Sequence, residues 1–494
     1  MLPLWTLLVP VATGAICYAA KGTRLIERVH LLGSTVTSAL ALGLVWRVSG
    51  EGTLTALGQF FLVDALGAVV LAIIALVGWT ASLFSVGYIR RELHEGTLDD
   101  RQVKQYYFWY HLFLATMLAV CMVNNMGLLW VAIEATTIVS AFLVALYRKG
   151  EALEAAWKYL ILCGTGIAIA LLGVILLYAS AVRTLGDAHD VHGLLNWSFL
   201  NNPDIRLQPG VVGLAFVFLL VGLGTKVGFA PMHFWLPDAH SQAPTPVSAL
   251  LSGVLLNCAM LVLIRFAVVA GHTIGLDEIR PLFIGAGLLS ILFAFPFILV
   301  QQDLKRMLAF STVEHMGIIA VAVGIGGAAG YAAALLQMFN HAMAKSLLFM
   351  AAGNLTQKYG TKQMARVTGA LRVLPFTGPV TLIGVLAISG LPPFSLFTSE
   401  FSVAAAGFAG GRPWAVAVML AGIALIFGAM LFHASRMMFG APREKPAAGE
   451  LGRWSTWPLL LPLAFVVVFG LYVPPAVSGL IRQAAAIMTG GWAS

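Results

Sequence analysis

Long apolar runs separated by short polar connections repeat along almost the whole chain. Runs of at least ~18 apolar residues suit helices that cross a bilayer core of ~30 Å. They are continuous rather than alternating with a period of two, so they predict helices and not the strands of a barrel. The pattern predicts fourteen spans, near residues 2–20, 29–47, 60–86, 106–124, 127–147, 152–182, 210–228, 245–270, 281–299, 303–325, 328–356, 374–396, 414–438 and 456–481. The first run, Leu2 to Ala20, has no basic residue before it, whereas Lys21 and Arg24 follow it. It therefore reads as a retained helix rather than a cleaved signal. The expected fold class is an all-α polytopic membrane protein.

Basic residues test that count. Connections after odd-numbered spans carry nineteen Lys and Arg, among them Lys21, Arg90, Arg148, Lys305, Lys358, Arg443 and Lys445. Connections after even-numbered spans, with the C-terminal end, carry six. The asymmetry predicts odd connections in the cytoplasm and both termini outside. The longest connection, about 183–210, holds Asp187, Asp190, Pro203 and Asp204 and reads as an external loop.

Composition agrees with this pattern. The 494 residues are 60% hydrophobic and 10% charged, against about 25% charged in soluble domains. The net charge of +8 is explained by cytoplasmic anchoring, so no nucleic-acid partner is expected. Cys17, Cys121, Cys163 and Cys258 lie in apolar segments without CxxC spacing. They read as core residues, not as a disulfide framework or a metal or iron–sulfur site.

Two spans are interrupted. The seventh runs into Lys226-Val-Gly-Phe-Ala-Pro-Met-His-Phe-Trp-Leu-Pro-Asp-Ala-His240, and the twelfth contains Ser389-Gly-Leu-Pro-Pro-Phe394, followed by Glu400. Proline removes a helical hydrogen bond and clashes with the preceding turn. Unpaired backbone at membrane depth is tolerated only where protein or a water-filled cavity covers it. A single break could be a kink, but these two lie five spans apart. They predict two inverted five-helix repeats, residues 106–270 and 281–438, each a half-channel. An N-terminal three-helix segment (1–105) and a C-terminal helix (456–494) flank them. Leu129-Trp-Val-Ala-Ile-Glu134 and Ala309-Phe-Ser-Thr-Val-Glu314 echo each other at the same place in the two units.

The ionisable residues within spans or at breaks are Glu134, Lys158, Lys226, Asp238, Arg265, Glu314, His315, His341, Lys345 and Glu400. A charge at mid-helix costs about 2.5–3.5 kcal/mol. Left unpaired, Glu134, Lys158, Lys226, Glu314, Lys345 and Glu400 would cost about 15–21 kcal/mol, more than the ~5–15 kcal/mol of a typical net stability. They must be paired, hydrated or neutral, and a proton pathway gives a reason to keep them. Desolvated Lys and Glu, and His with little tuning, can change charge near neutral pH. Glu134, Lys226, His315, His341, Lys345 and Glu400 are the candidate proton-transfer residues. Lys158, Glu314, Asp238 and His240 are candidate auxiliaries. His341 and Lys345 share a helix face, whereas Glu314 and His315 point about 100° apart. Each residue also has a structural reading: Lys226, Asp238 and His240 can brace the first break, and Lys158 can form a static ion pair with Glu134. Arg265 is expected to snorkel toward the outer interface. His111 and His433 read as packed or interfacial.

At these residues a resemblance emerges. The segment from Lys226 through Pro244-Thr-Pro-Val-Ser-Ala-Leu-Leu-Ser-Gly253 resembles the signature of the antiporter-like proteins. These are the proton-pumping subunits of respiratory complex I, large subunits of multisubunit sodium/proton antiporters, and membrane subunits of group 4 hydrogenases. Phe310-Ser-Thr-Val-Glu-His-Met-Gly317, Asn340-His-Ala-Met-Ala-Lys345 and Gly390-Leu-Pro-Pro393 with Glu400 resemble further motifs of the family. The resemblance implies that Glu134 and Lys226 couple an input to proton transfer, that His315 and Lys345 are relay residues of a central axis, and that Glu400 ends the relay. Many relatives carry a lysine in span eight near Asn257, where this chain has Asn257-Cys258. Water, His341 or another side chain must then link the halves, and Glu314 can compensate. Leu-Leu-Ser-Gly-Val-Leu-Leu-Asn257 and Val-Glu-His-Met-Gly317 most resemble the hydrogenase-4 component F branch. The implied function is proton translocation within a complex I-related oxidoreductase of a prokaryotic cell (inner) membrane. The alternatives are a sodium/proton antiporter subunit or an M-type subunit of NADH:quinone oxidoreductase. No cofactor or active site is expected in this chain. A nickel–iron centre and iron–sulfur clusters would belong to peripheral hydrogenase or dehydrogenase subunits, beside further antiporter-like partners in the bilayer.

Overall fold

A computed structural model describes residues 1–186, 193–442 and 446–490. The predicted positions of Asp187, Asp190, Arg443 and Lys445 lie outside the described residues. Apolar runs become helices because hydrocarbon offers no partner to backbone N–H and C=O groups, which must bond within their own segment. In chain order these are α1 (Leu2–Ala19), α2 (Thr23–Glu51), α3 (Ala65–His94), α4 (Asp100–Met122), α5 (Met126–Val144), α6 (Gly150–Leu185) and α7 (Pro209–Val227). They continue with α8 (Trp235–Gln242), α9 (Thr245–Ile274), α10 (Leu276–Val300), α11 (Leu304–Ile325) and α12 (Gly327–Tyr359). The last are α13 (Thr377–Ile388), α14 (Ser395–Ala409), α15 (Pro413–Met438), α16 (Arg453–Leu471) and α17 (Pro475–Met488). Among the described residues, eleven helices are long and apolar enough to cross a membrane.

Two expectations are corrected. The third predicted span began at 60, but Phe61–Val63 is a strand (β2) paired antiparallel with Leu54–Ala56 (β1). The hairpin turns through Leu57, Gly58 and Gln59, all at positive φ. Asp64 then starts α3 by accepting a hydrogen bond from the Gly67 N–H at 2.7 Å. The final predicted span, 456–481, is not one helix but two, α16 and α17. Pro474 and Pro475 interrupt it, because proline lacks the N–H and biases its predecessor away from helical geometry.

Helices α9 and α11 are buried along their whole apolar lengths, and α3 along most of its length, whereas α1, α2 and α16 are buried over only about a third. The former are therefore the centre, and the latter present apolar faces suited to lipid. Close packing uses glycine. Gly166 of α6 meets Gly222 of α7, and Gly287 of α10 meets Gly317 of α11, so that a β-carbon at any of the four would press on the opposite backbone. Such small-residue contacts let helices approach where lipid removes the hydrophobic drive to associate. Within α9, residues Leu251–Leu255 form a π turn, a local widening often found at functional positions.

Candidate functional site

Both predicted breaks are present, and side chains of neighbouring helices satisfy backbone groups near them. α7 ends at Val227 with Gly228 in the left-handed region, φ +85°, and α8 resumes at Trp235. The Ala230 N–H donates to Ser290 Oγ at 3.0 Å, and Trp235 Nε1 donates to the Thr225 carbonyl at 2.8 Å. In the second break, between α13 and α14, Gly390 has φ +71°. There the Ile388 carbonyl accepts from His315 Nε2 at 3.0 Å, and the Ser395 carbonyl accepts from Asn340 Nδ2 at 2.7 Å. The second break is thus tied to two polar residues of the α11 and α12 motifs.

Lys226 sits on the last turn of α7 and is fully buried. Its Nζ donates to Thr137 Oγ1 at 2.7 Å and to the Tyr159 hydroxyl at 2.8 Å. Thr137 in turn donates to Glu134 Oε2 at 3.1 Å. The donor count is consistent: the threonine oxygen accepts from the ammonium while its single hydrogen goes to the carboxylate. Glu134 and Lys226 therefore do not form a direct ion pair, but one hydroxyl joins them. Tyr159 also lies 2.8 Å from Ser140 Oγ, and its ring stands 4.9 Å from Lys226 Nζ. Sequence reasoning missed Thr137 and Tyr159; the signal available was Thr137 three residues after Glu134, on the same face of one helix.

The second cluster lies between α11, α12 and α14. Lys345 is fully buried, donating to the Leu308 carbonyl at 2.8 Å and, through a short contact, to Ser311 Oγ. Glu314 is buried one helical turn after Ser311, the α11 residue that Lys345 contacts. His315 Nδ1 faces Gln337 Nε2 at 3.1 Å and Glu400 Oε1 at 3.9 Å. Because a carbonyl can only accept, His315 Nε2 must carry hydrogen toward Ile388. Nδ1 is then an acceptor, matched to the Gln337 amide, whose oxygen accepts from Ser399. His341 is buried with neither ring nitrogen bonded to protein, and its ring lies 5.3 Å from that of His315. Glu400 Oε1 is also buried without a hydrogen-bond partner. Gln337 and Ser399 were not anticipated, although Gln337 lies one turn from His341.

Two further predictions are corrected. Lys158 does not pair with Glu134. It is half exposed and bonds Glu154 at 2.6 Å and Asp238 at 3.2 Å, while Arg306 holds the other Asp238 oxygen at 2.9 Å. Length explains the misreading: α6 has 36 residues, about 54 Å at 1.5 Å per residue, longer than a ~30 Å core, so the apolar run does not fix the depth of its first turns. Arg265 does not snorkel. It is fully buried and pairs with Asp64 at 3.0 Å, with its guanidinium 5.3 Å from the Trp197 ring. Asp64 also accepts from Trp197 Nε1 at 2.7 Å. His240 is buried, its Nδ1 hydrogen-bonded to the Leu236 carbonyl at 2.7 Å and its Nε2 without a protein partner.

Membrane-crossing helices broken at two interior points, with ionisable groups buried beside the breaks, define a transporter-like integral membrane protein. The chain belongs to the family described as NADH:quinone oxidoreductase/Mrp antiporter, transmembrane, whose model matches residues 123–435. It is 40% identical over 425 residues to a hydrogenase-4 component F homolog of Methylacidiphilum infernorum, covering 85% of this chain and 87% of that one. It is 30% identical over 436 residues to hydrogenase-4 component B of Escherichia coli, covering 83% of this chain and 62% of that longer relative. Its fold is similar to a chain of an archaeal membrane-bound sulfane sulfur reductase, with a TM-score of 0.84, 24% identity, and coverage of 98% and 97%. It is likewise similar to a chain of the Mrp complex from Dietzia sp., with a TM-score of 0.84, 20% identity, and coverage of 98% and 96%.

Proposed function

We propose that this chain translocates protons as an antiporter-like subunit of a complex I-related, hydrogenase-4-type oxidoreductase in a prokaryotic cell membrane. The observation that carries this reading is the chain Lys226–Thr137–Glu134, a buried ammonium joined to a carboxylate by one hydroxyl. A proton can leave Nζ for Thr137 Oγ1 as the threonine hydrogen passes to Glu134, leaving a neutral amine and a neutral acid. Neither product is then a charge stranded at depth, which is where the cost of ionised groups is greatest.

The second half supports a matching step. In the neutral His315 tautomer, Nδ1 accepts from Gln337. To hold a proton on Nδ1 the Gln337 amide must turn, presenting its oxygen. Ser399 can follow, because its hydroxyl also lies 3.1 Å from the Leu396 carbonyl. Glu400, 3.9 Å from Nδ1, is the adjacent proton donor or acceptor.

Fourteen crossings follow if α4, α12 and the broken pair α13–α14 are added to the eleven strongly apolar helices. The units 106–270 and 281–438 then each contain five spans with the fourth broken, and an odd number of spans inverts the second relative to the first. The basic-residue asymmetry supports termini outside. Redox cofactors and peripheral subunits are assigned to partner chains. The test is Lys226→Ala in the assembled complex reconstituted in vesicles. Electron transfer and assembly should persist while proton uptake is lost; undiminished uptake refutes the assignment. Cation-driven flux with this chain alone in the vesicles would instead favour a self-sufficient sodium/proton antiporter.

A further inference from the structure

Away from the two broken helices, the corner formed by α1–α4 buries two histidines that the proposed axis does not use. His30 of α2 and His111 of α4 have no exposed surface. His30 Nδ1 lies 2.9 Å from His111 Nε2, and His30 Nε2 lies 3.1 Å from the Ser82 carbonyl of α3. The carbonyl can only accept, so His30 Nε2 carries hydrogen. In the neutral pair His30 Nδ1 is then the acceptor and His111 Nε2 the donor. This leaves the lone pair on His111 Nδ1, and that atom is buried with no protein partner. The neutral pair has one consistent order of hydrogens, ending in a base. An added proton can rest on His111 Nδ1, and the N–H···N bond lets the positive charge move to His30 without either ring turning.

Aromatic rings face the pair. The rings of Tyr107 and Tyr110 lie 4.5 Å and 5.3 Å from that of His30, and aromatic faces attract cations. Cys17 of α1 is turned to the Ile26 carbonyl at 3.7 Å, and Tyr106 is held by Ser85 at 2.6 Å. The charged groups on this side are Arg24, Glu27 and Arg90, the last two paired at 2.6 Å. They line a cavity of about 320 Å³ whose wall also includes Tyr107. The Tyr107 hydroxyl is itself buried without a protein partner. Tyr107 therefore lines the cavity while its ring packs against His30.

We propose that His30 and His111 form a proton-binding site, loaded through the cavity at the Glu27–Arg90 pair and separate from the Lys226 and Lys345 clusters. The test is nitrogen-15 NMR of the full chain, labelled at histidine and held in lipid nanodiscs, from about pH 5 to about pH 9, the range where imidazoles change charge. Two rings should show coupling across their hydrogen bond and shift together through one midpoint. The coupling and the shared midpoint should both be lost in His30→Gln or in His111→Gln. Tyr107→Phe should keep the coupling and slow proton exchange at the pair several-fold. Coupled rings whose shifts stay constant across the range would be a purely structural pair and overturn the proposal, as would absence of coupling. If the glutamine variants do not fold, the wild-type titration decides, because no other two imidazoles hydrogen-bond among the described residues.

Discussion

Thr137→Val is the sharpest perturbation the structure offers. It keeps the branched shape of the side chain and removes the oxygen that links Lys226 to Glu134. Lys226 retains the Tyr159 hydroxyl at 2.8 Å, so the ammonium is not left without any partner and the break should survive. What is lost is a hydrogen bond to a charged donor and one to a carboxylate. A hydrogen bond to a charged group is worth about 1.5–3 kcal/mol. If the loss of one falls on the transfer step, at 1.4 kcal/mol per decade, the rate drops about 10- to 150-fold. Thr137→Ser restores the hydroxyl and should stay within about threefold, since that corresponds to less than 1 kcal/mol. The assay is proton uptake into vesicles bearing the assembled complex, normalised to electron transfer and to subunit content. Uptake by Thr137→Val within threefold of the parent, with assembly intact, would show that Glu134 and Lys226 do not exchange protons through this hydroxyl.

Other outcomes follow from the same contacts. Gln337→Met should reduce uptake by about tenfold or more, since the protonated His315 ring loses an acceptor worth about 1.5–3 kcal/mol; unchanged uptake refutes the amide rotation. Arg265→Met should destabilise the fold by about 3–5 kcal/mol, because Asp64 is left as a buried unpaired carboxylate. Adding Asp64→Asn should recover part of that loss. Thermal unfolding in detergent reads the order, and a double variant less stable than Arg265→Met alone contradicts the pairing argument.

The breaks were legible because proline and glycine act through the backbone, so Pro231 and Pro393 mark interruptions wherever the helices pack. Buried Lys226, Lys345 and Glu400 were legible because charge is rare in apolar runs. Thr137, Tyr159, Gln337 and Ser399 were not, since uncharged polar residues are tolerated throughout such helices and only tertiary packing selects the ones that bridge charges. Arg265 was misread for a related reason. Its partner Asp64 stands 201 residues earlier, in a hairpin end that the hydropathy pattern had absorbed into a span. Lys158 was misread because an apolar run longer than the membrane does not say which of its turns lie inside.

Between the two proposed halves stands Asn257, two residues after the π turn of α9. Its amide nitrogen donates to the Gly253 carbonyl at 2.8 Å and the Met338 carbonyl at 3.3 Å, and its oxygen is buried without a protein partner. Both amide hydrogens are committed, so the side chain offers one acceptor and cannot itself carry a proton by changing charge. Met338 is three residues before His341 on α12, which puts the asparagine about one turn from an imidazole whose nitrogens are both free of protein partners. On the proposed function, His341 is the titratable side chain beside Asn257 on a path between Lys226 and Lys345, and the amide can only orient what passes. This ranks two variants. His341→Gln should abolish uptake, whereas Asn257→Leu, losing one acceptor worth about 0.5–1.5 kcal/mol, should slow it by about tenfold or less. The opposite ranking, measured in the same vesicles, would remove His341 from the path and return the crossing to Asn257 and water.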